Sequence, residues 1–114
     1  MNQLTLIGRL TADPELTAPK GNPICRYRLA VDRIATDGAD FITIVSFGTR
    51  GENDAKWLSK GRLVAVAGRL NHNTWTDDDG NNRERYEVIA NQVSYLDSPK
   101  PKTTDDPKPG EEAF

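Results

Sequence analysis

The sequence predicts an all-β domain: five strands closed into a small barrel, one short helix between the third and fourth, and a long hairpin standing out from the body. Three observations carry that expectation. Apolar residues recur at every second position through most of the first 48 residues, which is the strand period. The period breaks once, over residues 50–60. A run of six turn formers, Asp77-Asp78-Asp79-Gly80-Asn81-Asn82, then divides two further polar–apolar stretches.

In chain order, residues 4–10 make a first strand, closed by Asp13-Pro14 and by Pro19-Lys20-Gly21-Asn22-Pro23. Residues 24–33 make a second, with Cys25, Tyr27, Leu29 and Val31 on one parity and Arg26, Arg28 and Ala30 on the other. A loop around Thr36-Asp37-Gly38 leads into a third strand over residues 40–48. Residues 50–60 contain Ala55, Trp57 and Leu58 and stop at Gly61, a residue suited to a helix C-cap. Residues 63–70 are rich in Val and Ala, as a strand buried on both faces would be, and residues 71–76 and 83–93 flank the turn run as hairpin arms. Five strands with one helix between the third and fourth is the element order of the five-stranded Greek-key barrel, the OB-fold. From Asp97 onward the chain is Pro, Lys, Thr, Asp and Gly with almost no apolar content, so residues 97–114 are expected to form a disordered tail behind a domain of residues 1–96.

Composition narrows the function. The chain has 114 residues, enough for one domain with a modest core, with 36% hydrophobic and 28% charged residues. Its net charge is −2, and the imbalance lies in the tail, because residues 1–96 carry twelve charges of each sign. A duplex binder that relies on phosphate contacts is normally more basic. A binder that takes much of its energy from base stacking need not be. Any phosphate-binding face must come from arginines gathered on one side. Cys25 has no partner for a disulfide, and with His72 as the sole histidine there is no ligand set for a metal. No apolar run is long enough to span a bilayer, and MNQLTLIGRL lacks the organisation of a secretion signal, so a cytoplasmic protein with no membrane partner is expected.

The residues 40–48 carry most of the functional signal. One parity holds Phe41, Thr43, Val45 and Phe47, and the other holds Ile42, Ile44 and Ser46. Both are substantially apolar, so one set can face outward, where two aromatic rings would make a stacking platform. A strand phenylalanine is more often core than ligand contact. Trp75 shifts that balance, because it sits in a polar hairpin arm with little core to join and so reads as a ring presented to bases, or as a packing residue against a second subunit. Trp57, beside Leu58 in the expected helix, fits core packing at least as well as contact with DNA. Catalysis has no support: His72 has no nucleophile or metal cluster near it in sequence, Asp77-Asp78-Asp79-Gly80 lacks the spacing and closing Glu of a calcium loop, and no Gly-rich phosphate loop opens a helix. No enzyme and no cofactor are expected.

The segments MNQLTLIGRLTADPEL, YRLAVDR, DFITIVSFG, WLSKGRLVAVAGRL and NTWTDDDGNNRERYEVIANQVSYL, in that order, resemble the bacterial single-stranded DNA-binding protein family over residues 1–96. The resemblance implies an OB-fold, a homotetramer, and sequence-independent coating of single strands in replication, recombination and repair, in association with the nucleoid. It implies stacking on Phe41, Phe47, Trp75 and Trp57. A further stacking tryptophan usual at the end of the second strand is missing, with Ile34 and Ala35 in that region. Basic residues usual before the hairpin tryptophan are replaced by Asn71, His72, Asn73 and Thr74. Both departures predict weaker binding and a smaller salt slope. Arg26, Arg28, Arg69, Arg83 and Arg85 are the candidate phosphate contacts. The resemblance extends to the end, Gly110-Glu111-Glu112-Ala113-Phe114, where Glu111, Glu112 and the Phe114 ring and carboxylate suit a basic-rimmed apolar pocket on replication and repair proteins.

Two other readings fit the same barrel. One is a primosome-type accessory factor whose exposed face contacts proteins; the missing ring and the neutral hairpin arm favour it. The other is a cold-shock-like RNA-binding domain, which would be shorter with a denser pair of aromatic strands.

Overall fold

The structure is a computed structural model and describes residues 1–97. Asp97, the first residue of the expected tail, is described and accepts the Arg62 Nε bond at 2.8 Å; residues 98–114, with the tip residues Glu111, Glu112 and Phe114, lie outside the described residues.

Six strands and one α-helix follow one another as β1 (Leu4–Leu10), β2 (Glu15–Thr17), β3 (Ile24–Asp32), β4 (Ala39–Phe47), α1 (Gly48–Trp57), β5 (Leu63–Thr76) and β6 (Asn82–Tyr95). The strands form one sheet in the order β1-β5-β6-β4-β3-β2, and β1 also pairs with β3 through Arg9↔Ala30 and Leu10↔Leu29, which closes the barrel. All pairings are antiparallel except β4 with β6, which meet in parallel at Ile44↔Val88 and Val45↔Ile89. The five long strands and the helix after the 40s strand are those the alternation predicts.

Four details differ from the sequence expectation. Glu15–Thr17 adds a short strand against Ile24–Arg26, inside what reads as a turn region. A 3-10 turn at Pro19–Gly21 follows it. The helix spans Gly48–Trp57 rather than residues 50–60, and its last N–H bond, from Leu58 to the Asp54 carbonyl, ends it before Gly61. Gly61 is therefore not a helix cap; at φ +89° its N–H reaches the Leu10 carbonyl at 2.9 Å and ties the turn to β1. Finally, β5 is one strand of 14 residues that runs from the barrel into the hairpin arm without interruption.

The parity of each strand decides what is buried. Cys25, Tyr27 and Leu29 of β3, Ile44 of β4, Val64 and Val66 of β5, and Val88 and Ala90 of β6 meet inside, and Leu58 closes the end below α1. The β5–β6 register shifts between Ala67↔Gln92 and Gly68↔Ala90, leaving Asn91 as a bulge that keeps the apolar side of β6 inward on both sides of the shift. Two glycines permit the closure. A Cβ on Gly8 would lie 2.5 Å from the Ala30 carbonyl oxygen, and one on Gly68 would overlap the Ile89 carbonyl oxygen.

Gly68→Ala is therefore expected to lower the unfolding free energy by about 1–3 kcal/mol, measured as a shift in urea midpoint. An unchanged midpoint would show that the strands need not approach so closely there.

Candidate nucleic-acid interface

The outward parity of the same strands builds one continuous face. Antiparallel pairing sets Ala30 opposite Phe41, Arg28 opposite Thr43, Arg26 opposite Val45 and Ile24 opposite Phe47. Val45 in turn neighbours Ile89, so the outward side of β6 continues through Glu87, Arg85 and Arg83, with Asn71, Asn73 and Trp75 beside them on β5. The four aromatic candidates all stand out from the barrel: Phe41 is 57% exposed, Phe47 46%, Trp57 50% and Trp75 44%. Trp57, whose sequence position fits either role, is thus a surface ring at the end of α1. Ile34 is fully exposed in the loop after β3 and brings no ring there.

Three of these rings carry a cation on one face. The Arg28 guanidinium lies 4.7 Å from the centre of Phe41, the Arg85 guanidinium 5.4 Å from Trp75, and the Lys56 ammonium 5.0 Å from Trp57. Such a pair covers one face of the ring and sets a positive charge beside it. The five candidate arginines differ in freedom. Arg28 is exposed; Arg26 is half-buried and its Nε has no hydrogen-bond partner among the described residues. Arg83 donates from Nε to Asp77 Oδ2 at 2.8 Å, so its charge is partly neutralised at the hairpin tip. Arg69 is exposed at the barrel end of the same face and makes no ion pair among the described residues.

One buried acid sits within this face, besides the exposed Glu15 and Asp32 on the same side. Glu87 is 3% exposed; Asn73 Nδ2 donates to its Oε1 at 2.6 Å. Arg85 Nε lies 3.5 Å from its Oε2, near enough for charge attraction but without hydrogen-bond geometry, which leaves that oxygen unsatisfied. Glu87 thus orients Asn73 and Arg85 while presenting little of its own charge to solvent. On the opposite face of the hairpin His72 stacks on Tyr86 with centres 4.3 Å apart, and its Nε2 is 3.0 Å from Glu84 Oε2. That places His72 away from the ring-bearing face.

Asp77 organises the hairpin tip. Its Oδ1 accepts the N–H groups of Asp79 and Asn81 and its Oδ2 takes the Arg83 bond, which together hold its carboxyl below the usual range, the arginine being the largest cause. The acidic run is therefore an internally bonded turn. No group of three or more His, Cys, Asp or Glu gathers to hold a metal among the described residues, and no helix among them is long and apolar enough to cross a membrane.

Beneath α1 lies a feature that sequence reasoning missed. Asp54 is 1% exposed and accepts three hydroxyls from three strands: Ser46 Oγ at 2.7 Å and Tyr27 Oη at 3.4 Å on Oδ2, and Tyr95 Oη at 2.8 Å on Oδ1. A Cβ on Gly51 would stand 2.6 Å from the Ser46 carbonyl oxygen, so the helix backbone rests directly on β4. The buried carboxylate and this close contact fix the helix, and with it Trp57, on the barrel. Arg50, Asn53 and Lys56 also escaped notice, although 50, 53 and 57 have the spacing of one helix face.

The model of the single-strand binding protein family matches residues 1–96. The chain belongs to that family. Its relatives include a single-stranded DNA-binding protein of Clostridium perfringens (strain 13 / Type A), 41% identical over 101 residues that cover 86% of this chain and 67% of the relative. Single-stranded DNA-binding protein 1 of Clostridium acetobutylicum is 39% identical over 107 residues, 88% of this chain and 97% of the relative. A single-stranded DNA-binding protein of Staphylococcus aureus (strain MW2) is 40% identical over 112 residues, 93% of this chain and 70% of the relative.

The Asp54 cluster has a consequence for pH. Burial, and then the Asp54 charge, push the Cys25 thiol up from 9.0 to about 11. Burial first, with Asp54 next, pushes the Tyr27 and Tyr95 hydroxyls well above their ordinary 10.0. Groups with raised folded values stabilise fully below the unfolded values, and that contribution is lost as pH rises through the folded ones. Stability is therefore expected to fall progressively from pH 9.0 upward, through about 11 for Cys25 and beyond it for the tyrosines. In the native protein Cys25 should resist a thiol reagent at pH 8 and react on adding denaturant. Rapid labelling without denaturant would contradict its burial.

Proposed function

We propose that the outer face of the barrel and hairpin binds single-stranded DNA without sequence preference, with bases stacked on Phe41, Phe47, Trp75 and Trp57 and the backbone followed by Arg26, Arg28, Arg69, Arg83 and Arg85. Membership in the single-strand binding family makes the protein a single-stranded DNA binder, and its general work is to coat and protect strands exposed in replication, recombination and repair. The observation that carries the assignment to this face is the exposure of all four rings, three with a cation against them. A stacked base is worth about 1–3 kcal/mol on each ring whatever its identity, because every base has a π face. That explains how a barrel without net positive charge serves the purpose. A protein-docking face needs no set of stacking rings, and a cold-shock-like RNA barrel would gather its rings on one strand pair, whereas these four are spread over β4, α1 and β5.

The reading extends to assembly and place. β1 pairs with β3 only at Arg9 and Leu10, so Leu4–Gly8 leaves an open sheet edge, beside which Ile7 is 55% exposed. An open edge with apolar side chains suits pairing with a second copy, and two such pairs packed face to face give a homotetramer. The protein works in the cytoplasm with the nucleoid, and residues 97–114 act as a linker whose Glu111, Glu112 and Phe114 dock on replication and repair proteins. Light scattering should give four times the chain mass. Removing residues 98–114 should leave DNA binding intact and abolish partner capture; loss of DNA binding instead would overturn that division of labour.

Tryptophan emission is expected to be quenched by oligo-dT and partly restored by salt, with a shallow salt slope because Arg83 is already paired. Trp75→Ala should weaken binding by about 1–3 kcal/mol. A folded protein whose emission and anisotropy ignore oligo-dT at low salt contradicts the reading.

A further inference from the structure

Helix α1 presents Arg50, Asn53 and Trp57 along one side, since three and four residues bring side chains back to the same face. These three line a cleft of about 740 Å³ with Phe47, Gln92 and Tyr95 on its other wall. That volume is inside the roughly 300–1,000 Å³ span of small-molecule sites. The cleft is distinct from the one around Trp75, which is lined by Thr74, Thr76, Asn82, Arg83 and Glu84 and shares no residue with it. Each tryptophan therefore serves a separate recess.

The cleft has the chemistry of a nucleotide. Two half-exposed rings, Phe47 and Trp57, offer stacking surface. Arg50 is exposed and makes no ion pair among the described residues. Among the described residues the one acid in the lining is Asp54, whose two oxygens are taken by Ser46, Tyr27 and Tyr95, so none of the described exposed carboxylates lines the cleft. Asn53 and Gln92, both exposed, add two carboxamides. A carboxamide carries a donor and an acceptor and can turn over to exchange them, so it can meet the edge of any base.

We propose that this cleft is a nucleotide subsite in its own right: the base stacks on Trp57 beside Phe47, Asn53 and Gln92 hydrogen-bond to its edge, and Arg50 pairs with its phosphate. The inference rests on the outer-face reading above and adds to it three contacting residues and a mode of base contact that tolerates every base. Because Asp54 and Gly51 hold the helix on the barrel, the walls stand ready before DNA arrives, which spares the cost of ordering them on binding.

The test uses the full chain with Trp75→Phe, which leaves Trp57 as the sole tryptophan, and fluorescein-labelled oligo-dT, oligo-dA and oligo-dC. Binding is read by anisotropy and Trp57 occupancy by emission. All three oligomers should quench Trp57. Arg50→Ala should lower the slope of log affinity against log salt by about one. Asn53→Ala with Gln92→Ala should weaken binding about tenfold for all three oligomers and leave the slope unchanged. Binding by anisotropy with Trp57 emission unchanged and the Arg50→Ala slope intact would overturn the subsite while leaving the outer-face reading in place. A carboxamide effect confined to one base would overturn the tolerant mode of contact. Failure of the unmodified protein to bind any of the oligomers would instead remove the outer-face reading itself. Arg50, Asn53 and Gln92 are exposed, so melting temperatures close to that of the parent confirm that each variant is folded.

Discussion

The pairing of β3 with β4 is the constraint on which the rest depends. Nine consecutive residue pairs, from Ile24↔Phe47 to Asp32↔Ala39, lock the register of these strands. A slip of one residue would turn Phe41 and Phe47 into the barrel and bring Ile44 out. The sealed interior, filled by Tyr27, Leu29, Ile44, Val64, Val66 and Val88, makes that slip costly, because it would expose the core and bury rings too large for the space. Core packing and presentation of the rings are thus one decision made at one register.

The helix and the hairpin extend that decision in two directions. α1 follows directly from Phe47, and its seating through Asp54 and Gly51 sets Trp57 near the end of β4. The bulge at Asn91 lets β6 keep its apolar side inward in the barrel while its outward side carries Arg83, Arg85 and Glu87 into the hairpin beside Trp75. Rings at both ends of the face and arginines between them follow from alternation along continuous strands. Where the core ends, the inward side of the hairpin has no interior left to fill, and Leu70, His72 and Tyr86 come to the surface.

Alternation made much of this legible in the sequence. The inward set Cys25, Tyr27 and Leu29 and the outward Phe41 and Phe47 follow from counting by twos, and Trp75 declared itself by its polar surroundings. What escaped had no local signature. Glu-Leu-Thr at 15–17 has no buried residue and is a strand only because Ile24–Arg26 offers an edge to pair with. The helix start was misplaced because Phe47 is no capping residue and no side chain caps that end. Gly61 read as a helix cap because its preference for positive φ is the same in either turn. Asp54 reads as a solvated helix residue until Tyr27, Ser46 and Tyr95 converge on it from three strands, and the side of α1 that bears Arg50 and Asn53 gains meaning only when Phe47 and Gln92 stand across from it.

We propose that a single strand of DNA lies across the outward parity of β3, β4 and β6. The most direct test is a map of NMR shift changes in isotope-labelled protein on adding oligo-dT. The ring and backbone signals of Phe41, Phe47 and Trp75, with those of Arg28 and Arg85, should move together and saturate at one oligomer ratio. Changes centred on β1 and β2, around Ile7 and Leu16, with those rings unmoved, would contradict the account.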